Sequence, residues 1–183
     1  MSAARRLLFA VAALALAACG GGGGGGGGPT EPTPPPPPAA SIVFSAQGTP
    51  GANTLFLASG AATTATNLVL EVRASQVTDL YGVAFDLSYP SAQLQFVRAT
   101  AGPLLAGGAV QAAPGGAGVL VVGGTHLGNV PGANGSGVVM TLEFSAVGAG
   151  SGSFAFSRNA ALNSAGNTLS GVAWLAGSVQ VTR

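Results

Sequence analysis

A chain of 183 residues with 6% charged residues, no lysine and a formal net charge of +1 has no basic stripe, so nucleic acid is excluded as a partner. Its single cysteine rules out a disulfide framework, and one cysteine with one histidine cannot build a zinc site. The material for a core is nevertheless present: 48% of residues are hydrophobic and the mean hydropathy is +0.52, so burial has to hold any folded part together.

The first element in chain order is a targeting segment. Arg5 and Arg6 precede an almost purely apolar run from Leu7 to Ala18, which ends in small residues as a secretory signal does. The run is shorter than the roughly 20 apolar residues that a transmembrane helix needs. Leu16-Ala17-Ala18-Cys19 resembles the lipobox of bacterial lipoproteins. That resemblance implies that residues 1–18 are a signal peptide, that Cys19 is lipidated on sulfur, and that the membrane is the first partner of the mature chain. It also implies a lipid-anchored protein of the bacterial cell envelope, periplasmic or surface-exposed. Gly20 stands where an Asp would mark inner-membrane retention, which favours the outer membrane.

Residues 19–40 read as a tether. Nine consecutive glycines, Gly20 to Gly28, are followed by Pro29-Thr30-Glu31-Pro32-Thr33 and the prolines Pro34 to Pro38. Glycine offers no side chain to bury and proline no backbone donor, so neither half can fold. The first half should coil over roughly 15–18 Å and the second extend as a stiffer polyproline rod of about 30 Å. The glycine run is not a phosphate loop, because no Gly-Lys-Ser/Thr follows it.

From Ser41 to Arg183 the periodicity becomes two, the signature of strands. Ser41–Ala46 is a short apolar strand. Leu68, Leu70, Val72 and Ala74 alternate with Val69, Glu71, Arg73 and Ser75, which sets the first group toward a core and the second outward. Tyr81, Val83, Phe85, Leu87 and Tyr89 repeat this against Gly82, Ala84, Asp86 and Ser88, and Pro90 ends the strand. Leu94–Thr100 follows. Val119–Val122, apolar throughout, predicts a strand covered on both faces. Val138–Val147 places Met140, Leu142, Phe144 and Ala146 on one side and leaves Val139 outward; Ser153–Ser157 and Gly171–Thr182 complete the set. Asn134-Gly135-Ser136 reads as a turn. Eight to nine short strands without a helical period predict an all-β antiparallel sandwich.

The runs Asn67-Leu-Val-Leu-Glu-Val-Arg-Ala, Asp79-Leu-Tyr-Gly-Val-Ala-Phe-Asp-Leu-Ser-Tyr-Pro, Leu94-Gln-Phe-Val and Gly137-Val-Val-Met-Thr-Leu-Glu-Phe-Ser-Ala resemble cohesin domains. The resemblance rests on strand order and spacing and covers nearly everything from Ser41 to Thr182. It implies a jelly-roll β-sandwich related to carbohydrate-binding modules, and a non-catalytic module that binds a partner such as a dockerin through one sheet face. Two departures stand out. Tyr89-Pro90-Ser91 replaces the Tyr-Asp-Pro usual in cellulosomal cohesins, and Gly82 and Ala84 occupy outward positions where dockerin binders carry Asn and Asp.

The residues themselves carry little chemistry. His126 lies in a glycine-rich loop, where a solvated side chain is expected, and no Gly-x-Ser-x-Gly elbow accompanies it. Glu71, Asp79, Asp86 and Glu143 lack the clustering that calcium requires, and are expected to serve solubility and edge protection on an otherwise uncharged surface. No enzyme, metal or cofactor is therefore expected. Three functional readings remain. A protein-binding module predicts a polar patch around Asp86 and Ser88. A polysaccharide-binding module predicts an exposed Trp174 or another surface aromatic. A structural lipoprotein of an envelope assembly predicts a broad apolar outer face that includes Val69 and Val139.

Overall fold

The computed structural model describes Pro36 and residues 38–183; the signal segment, Cys19 and most of the tether lie outside the described residues. Period-two sequence becomes eleven strands, more than the eight to nine expected. One sheet contains, from edge to edge, β1 (Ser41–Ala46), β11 (Gly177–Thr182), β9 (Gly150–Leu162), β4 (Gly82–Ser88), β7 (Val119–Thr125) and β6 (Ala109–Gly116). The other contains β10 (Ala173–Leu175), β2 (Thr54–Ser59), β3 (Asn67–Leu80), β8 (Ala133–Ala146) and β5 (Leu94–Ala101). Neighbours are antiparallel except β2 and β10, which run parallel. Among the described residues no helix is long and apolar enough to cross a membrane.

The core forms between the two sheets from the phases that alternation assigns inward. Leu68, Leu70 and Val72 of β3, Phe85 and Leu87 of β4, and Leu142 and Phe144 of β8 are buried there. Leu55 and Leu57 of β2 join them, from a strand that sequence reading passed over. The closing segment Gly171–Thr182 is two strands rather than one, because it leaves the five-stranded sheet as β10 and enters the six-stranded sheet as β11. The crossing falls at Ala176 and Gly177. A Cβ on Gly177 would lie 2.4 Å from Phe44 Cζ and 2.5 Å from the Ser45 carbonyl oxygen, so only glycine passes beneath that ring.

Two residues assigned outward are buried, for different reasons. Val69 is covered by the loop ahead of β3: Gly60 N–H donates to its carbonyl and Thr63 Oγ1 bonds both its backbone groups. Val139 sits at a register shift between β3 and β8 and joins the core, its carbonyl accepting the Gly102 N–H from the chain that crosses there. Val119–Val122 departs the other way. Its Val121 is 46% exposed, so β7 is covered on one face only.

Asn134-Gly135-Ser136 is not a turn but the start of β8, and its polar side chains repair the irregular end of β3. Gln76 and Asp79 take positive φ (46° and 54°), where the β3–β8 register slips. The freed donors find side-chain acceptors: Gln76 N–H bonds Ser136 Oγ and Asp79 N–H bonds Asn134 Oδ1, each at 2.9 Å. The Asp79 carboxylate in turn accepts the Gly132 N–H at 3.0 Å and the Ser164 hydroxyl at 3.0 Å, clasping two loops to the end of β3.

Replacing Gly177 with alanine should cost about 1–3 kcal/mol, the range for an added group in a packed interior. Gly123→Ala, where a Cβ meets nothing within 4 Å, should be close to neutral. Urea unfolding midpoints of the two variants test this, and equal midpoints would reject the crossing constraint.

Candidate functional site

On the outer face of the six-stranded sheet the side chains are small. β4 presents Ala84, Asp86 and Ser88, β7 presents Val121 and Gly123, and β6 presents Gln111 and Ala113. A trough of about 690 Å³ starts beside Ala84 and Gly123, passes β6 and reaches Phe96 and Arg98 of β5. A second hollow of about 380 Å³ lies beside Gly82, Thr125 and Leu162. Gln111 and Gly123 line both, so the two depressions adjoin across the glycine. Ala84 is exposed, whereas Gly82 is buried against Thr125.

Asp86 has the outward phase expected of it and yet is only 6% exposed. The reason is Arg158. β9 slips in register opposite Ala84 and Asp86, and within that slip Arg158 adopts φ +47°. Arg158 Nε donates to Asp86 Oδ2 at 2.6 Å, and Nη2 donates to the same oxygen. The guanidinium remains largely in solvent and covers the carboxylate, so the exposed charge at this point is positive. Ser88, half-buried at the end of β4, shares the face with Asp86.

Trp174 is not brought to them. It belongs to β10 in the other sheet and is half-buried, with ring centroids 5.7 Å from Phe85 and 5.1 Å from Phe156. Its neighbours are core rings, so its packing is structural. Every aromatic side chain among the described residues is buried or half-buried.

The remaining acids are also engaged. Glu71 pairs with Arg73 at 2.6 Å and Glu143 with Arg98 at 2.7 Å. The hydrogen bond and charge of Glu143 raise the Arg98 guanidinium above its ordinary range, which keeps it ionised. With Asp79 held by backbone and serine donors, each carboxylate of the described strands has a structural partner. His126 corrects the expectation of a solvated side chain. Its ring packs 5.6 Å from that of Tyr81, and its Nε2 is buried with no hydrogen-bond partner. Among the described residues no three His, Cys, Asp or Glu side chains converge. Arg158 is the residue that sequence reading missed, because it lies 72 positions from Asp86 and acts through a backbone irregularity.

No protein-family model matches the sequence, and no curated protein matches it. Solved structures do. The chain is similar to a chain of a type II cohesin-X-dockerin complex from Acetivibrio cellulolyticus, at 18% identity and TM-score 0.54 over 66% of this chain and 92% of that one. It is similar to a non-cellulosomal cohesin from the archaeon Archaeoglobus fulgidus, at 18% identity and TM-score 0.53 over 76% and 89%. A type II cohesin from Bacteroides cellulosolvens aligns at 14% identity and TM-score 0.56 over 70% and 96%. The class is thereby defined as an all-β sandwich. In particular, the described strands adopt the cohesin fold.

Truncating Arg158 to alanine removes both hydrogen bonds to Asp86 while uncovering its carboxylate to water, and should destabilise the domain by about 0.5–1.5 kcal/mol. Removing both partners, as Asp86→Ser with Arg158→Ala, should recover most of that. Arg158→Gly should be milder than Arg158→Ala by about 1 kcal/mol, since glycine holds a positive φ without strain. A denaturation cycle over Arg158→Ala, Asp86→Ser and their combination, with Arg158→Gly measured beside them, checks all three; additive single effects would show that the pair is not coupled.

Proposed function

We propose that this chain is a non-catalytic adaptor: a cohesin-fold module that binds another protein module through the outer face of β9, β4, β7 and β6, held at the bacterial envelope by lipid on Cys19. The observation that carries the reading is that face. It is broad and built of small side chains, it is indented by adjoining hollows, and its one ion pair is internally neutralised. Such a surface suits a partner's protruding apolar side chains and offers nothing for covalent chemistry.

The fold supports a dockerin-like module as the class of partner, since one similar structure is a complex of cohesin with X-dockerin. The contact chemistry differs from the one the resemblance implies. Gly82 and Ala84 contribute no hydrogen-bonding side chain, and Asp86 is masked by Arg158, so the partner is held by shape, apolar contact and Arg158. A polysaccharide site would want exposed flat rings, whereas Trp174 packs against Phe85 and Phe156 and every ring among the described residues is buried or half-buried. The assembly reading loses the apolar outer face expected of Val69 and Val139, both of which are buried.

Two measurements test the proposal. Metabolic palmitate labelling should mark the full chain and be lost in Cys19→Ala; label that persists in the variant removes the anchor. The immobilised chain should capture a specific protein from envelope extract of its native cells. Ala84→Arg should weaken that capture by at least about tenfold, because it fills the trough with a charge. Gln95→Arg, on the outer side of the other sheet, should leave it unchanged. Capture insensitive to Ala84→Arg would move the site away from this face.

A further inference from the structure

A sandwich is open to another strand at its sheet edges, and there are four here: β1 and β6 in one sheet, β10 and β5 in the other. Natural sheets blunt their edges with charge, proline, bulges or short strands. Three of these edges do so. β5 has a register shift between Phe96 and Arg98, with Val97 in the bulge and the charge of Arg98 beside it. β6 carries Pro114 and a shift between Pro114 and Gly116. β10 is only three residues long.

β1 has none of these devices. Ser41-Ile42-Val43-Phe44-Ser45-Ala46 contains no charge and no proline, and it pairs with β11 from Ser41↔Thr182 to Ala46↔Gly177 without a shift. The Gln47 N–H donates to the Ala176 carbonyl and continues that ladder. Hydrogen bonding alternates along an antiparallel strand, so Ser41, Val43 and Ser45 bond toward β11. Ile42, Phe44 and Ala46 therefore turn their backbone donors and acceptors to the open edge. Val43, on the outer face at that edge, is 55% exposed.

We infer that β1 pairs antiparallel with β1 of a second copy of this chain, about a two-fold axis through Val43. The register follows from the groups on offer. With Val43 opposite its counterpart, Ile42 of each copy faces Phe44 of the other, and these are the residues whose backbone groups are free to exchange hydrogen bonds. Val43 then forms the close, non-hydrogen-bonded pair, which buries its exposed side chain against its own copy. Charge permits the approach. Arg73, Arg98, Arg158 and Arg183 balance Glu71, Asp79, Asp86 and Glu143, and none of the eight lies in β1 or β11.

The two six-stranded sheets then become one continuous sheet. A two-fold axis perpendicular to the sheet keeps both outer faces on one side, so the pair presents two copies of that face together. A partner with two binding modules would gain avidity from such a pair without any new contact.

Disulfide trapping in membranes of cells that produce the full chain tests the pairing. At the close pair the Cβ atoms lie about 4.5–5.5 Å apart, near the span of a disulfide. Val43→Cys should therefore give a dimer band on non-reducing electrophoresis, at least about fivefold above the parent chain with Cys19 alone. Gln180→Cys, one strand further in on the same face, should stay at the parent level. Ser41→Cys produced together with Ser45→Cys should cross-link, whereas Ser41→Cys alone should not. Adding Val43→Lys to the mixed pair should abolish its band, since a lysine on each copy sets two like charges against each other. Absence of a Val43→Cys dimer, equal trapping at Gln180, or a mixed band that survives Val43→Lys would overturn the inference.

Discussion

The contact between Phe144 of β8 and Phe154 of β9, centroids 5.8 Å apart and nearly edge to face, joins the two sheets at one end of the core, as Trp174 against Phe85 and Phe156 does elsewhere. Rings extend from it in both directions. Phe154 meets Phe44 of β1, and Phe144 meets Phe96 of β5 and Tyr89 at the end of β4. Each such pair contributes about 0.5–1.5 kcal/mol beyond the area it buries. In a domain that has no cysteine, this row of rings ties the two layers together as a cross-link would. It also dictates where glycine is required. Gly177 passes beneath the ring of Phe44, and Gly152 lies so close to Pro90 that a Cβ would be 2.3 Å from the proline Cβ. The chain changes sheets beside the ring row, so a side chain at the crossing would push against the contact that holds the sheets together.

What was legible in the sequence was the inward phase of each long strand. Phe85 and Leu87 of β4, and Met140, Leu142 and Phe144 of β8, are core because alternation on a pleated sheet leaves no other place for them. What was not legible depends on distant chain. Nothing local to Val69 says that Gly60 and Thr63 will fold over it, and nothing local to Val139 says that the ladder will slip there. β6 was missed because Pro114-Gly115-Gly116 has the composition of a loop, although the strand pairs with β7 from Ala109 to Pro114 and again at Gly116. At the candidate site the phase of Asp86 was readable and its exposure was not. A left-handed arginine 72 residues away covers it, and no periodicity announces such a residue.

The few charges are spent on structure. Asp86, Glu71 and Glu143 each hold an arginine, and Asp79 ties the irregular end of β3 to the loops beside it. A surface of this kind exerts little long-range field, so charge would neither steer the proposed partner toward it nor distinguish one partner from another. For the proposed partner, discrimination would come from shape, which here means hollows left by glycine and alanine between the exposed guanidinium groups of Arg158 and Arg98.

The two sheets are closed to different degrees, and this asymmetry is what directs the proposed docking to one of them. Over the five-stranded sheet, connecting chain already packs on the outward side, since the loop around Gly60 and Thr63 covers Val69. Among the described residues no comparable loop covers the middle strands of the six-stranded sheet, where Val121 and Ala84 stay exposed. The same sheet also owns the edge without protective charge, proline or bulge. Surface and edge are therefore parts of one structural element: the sheet whose outer face carries small side chains is the one whose β1 can be extended. An added strand at that edge would enlarge the bare face and would pair directly with the backbone of Phe44, the β1 end of the ring row.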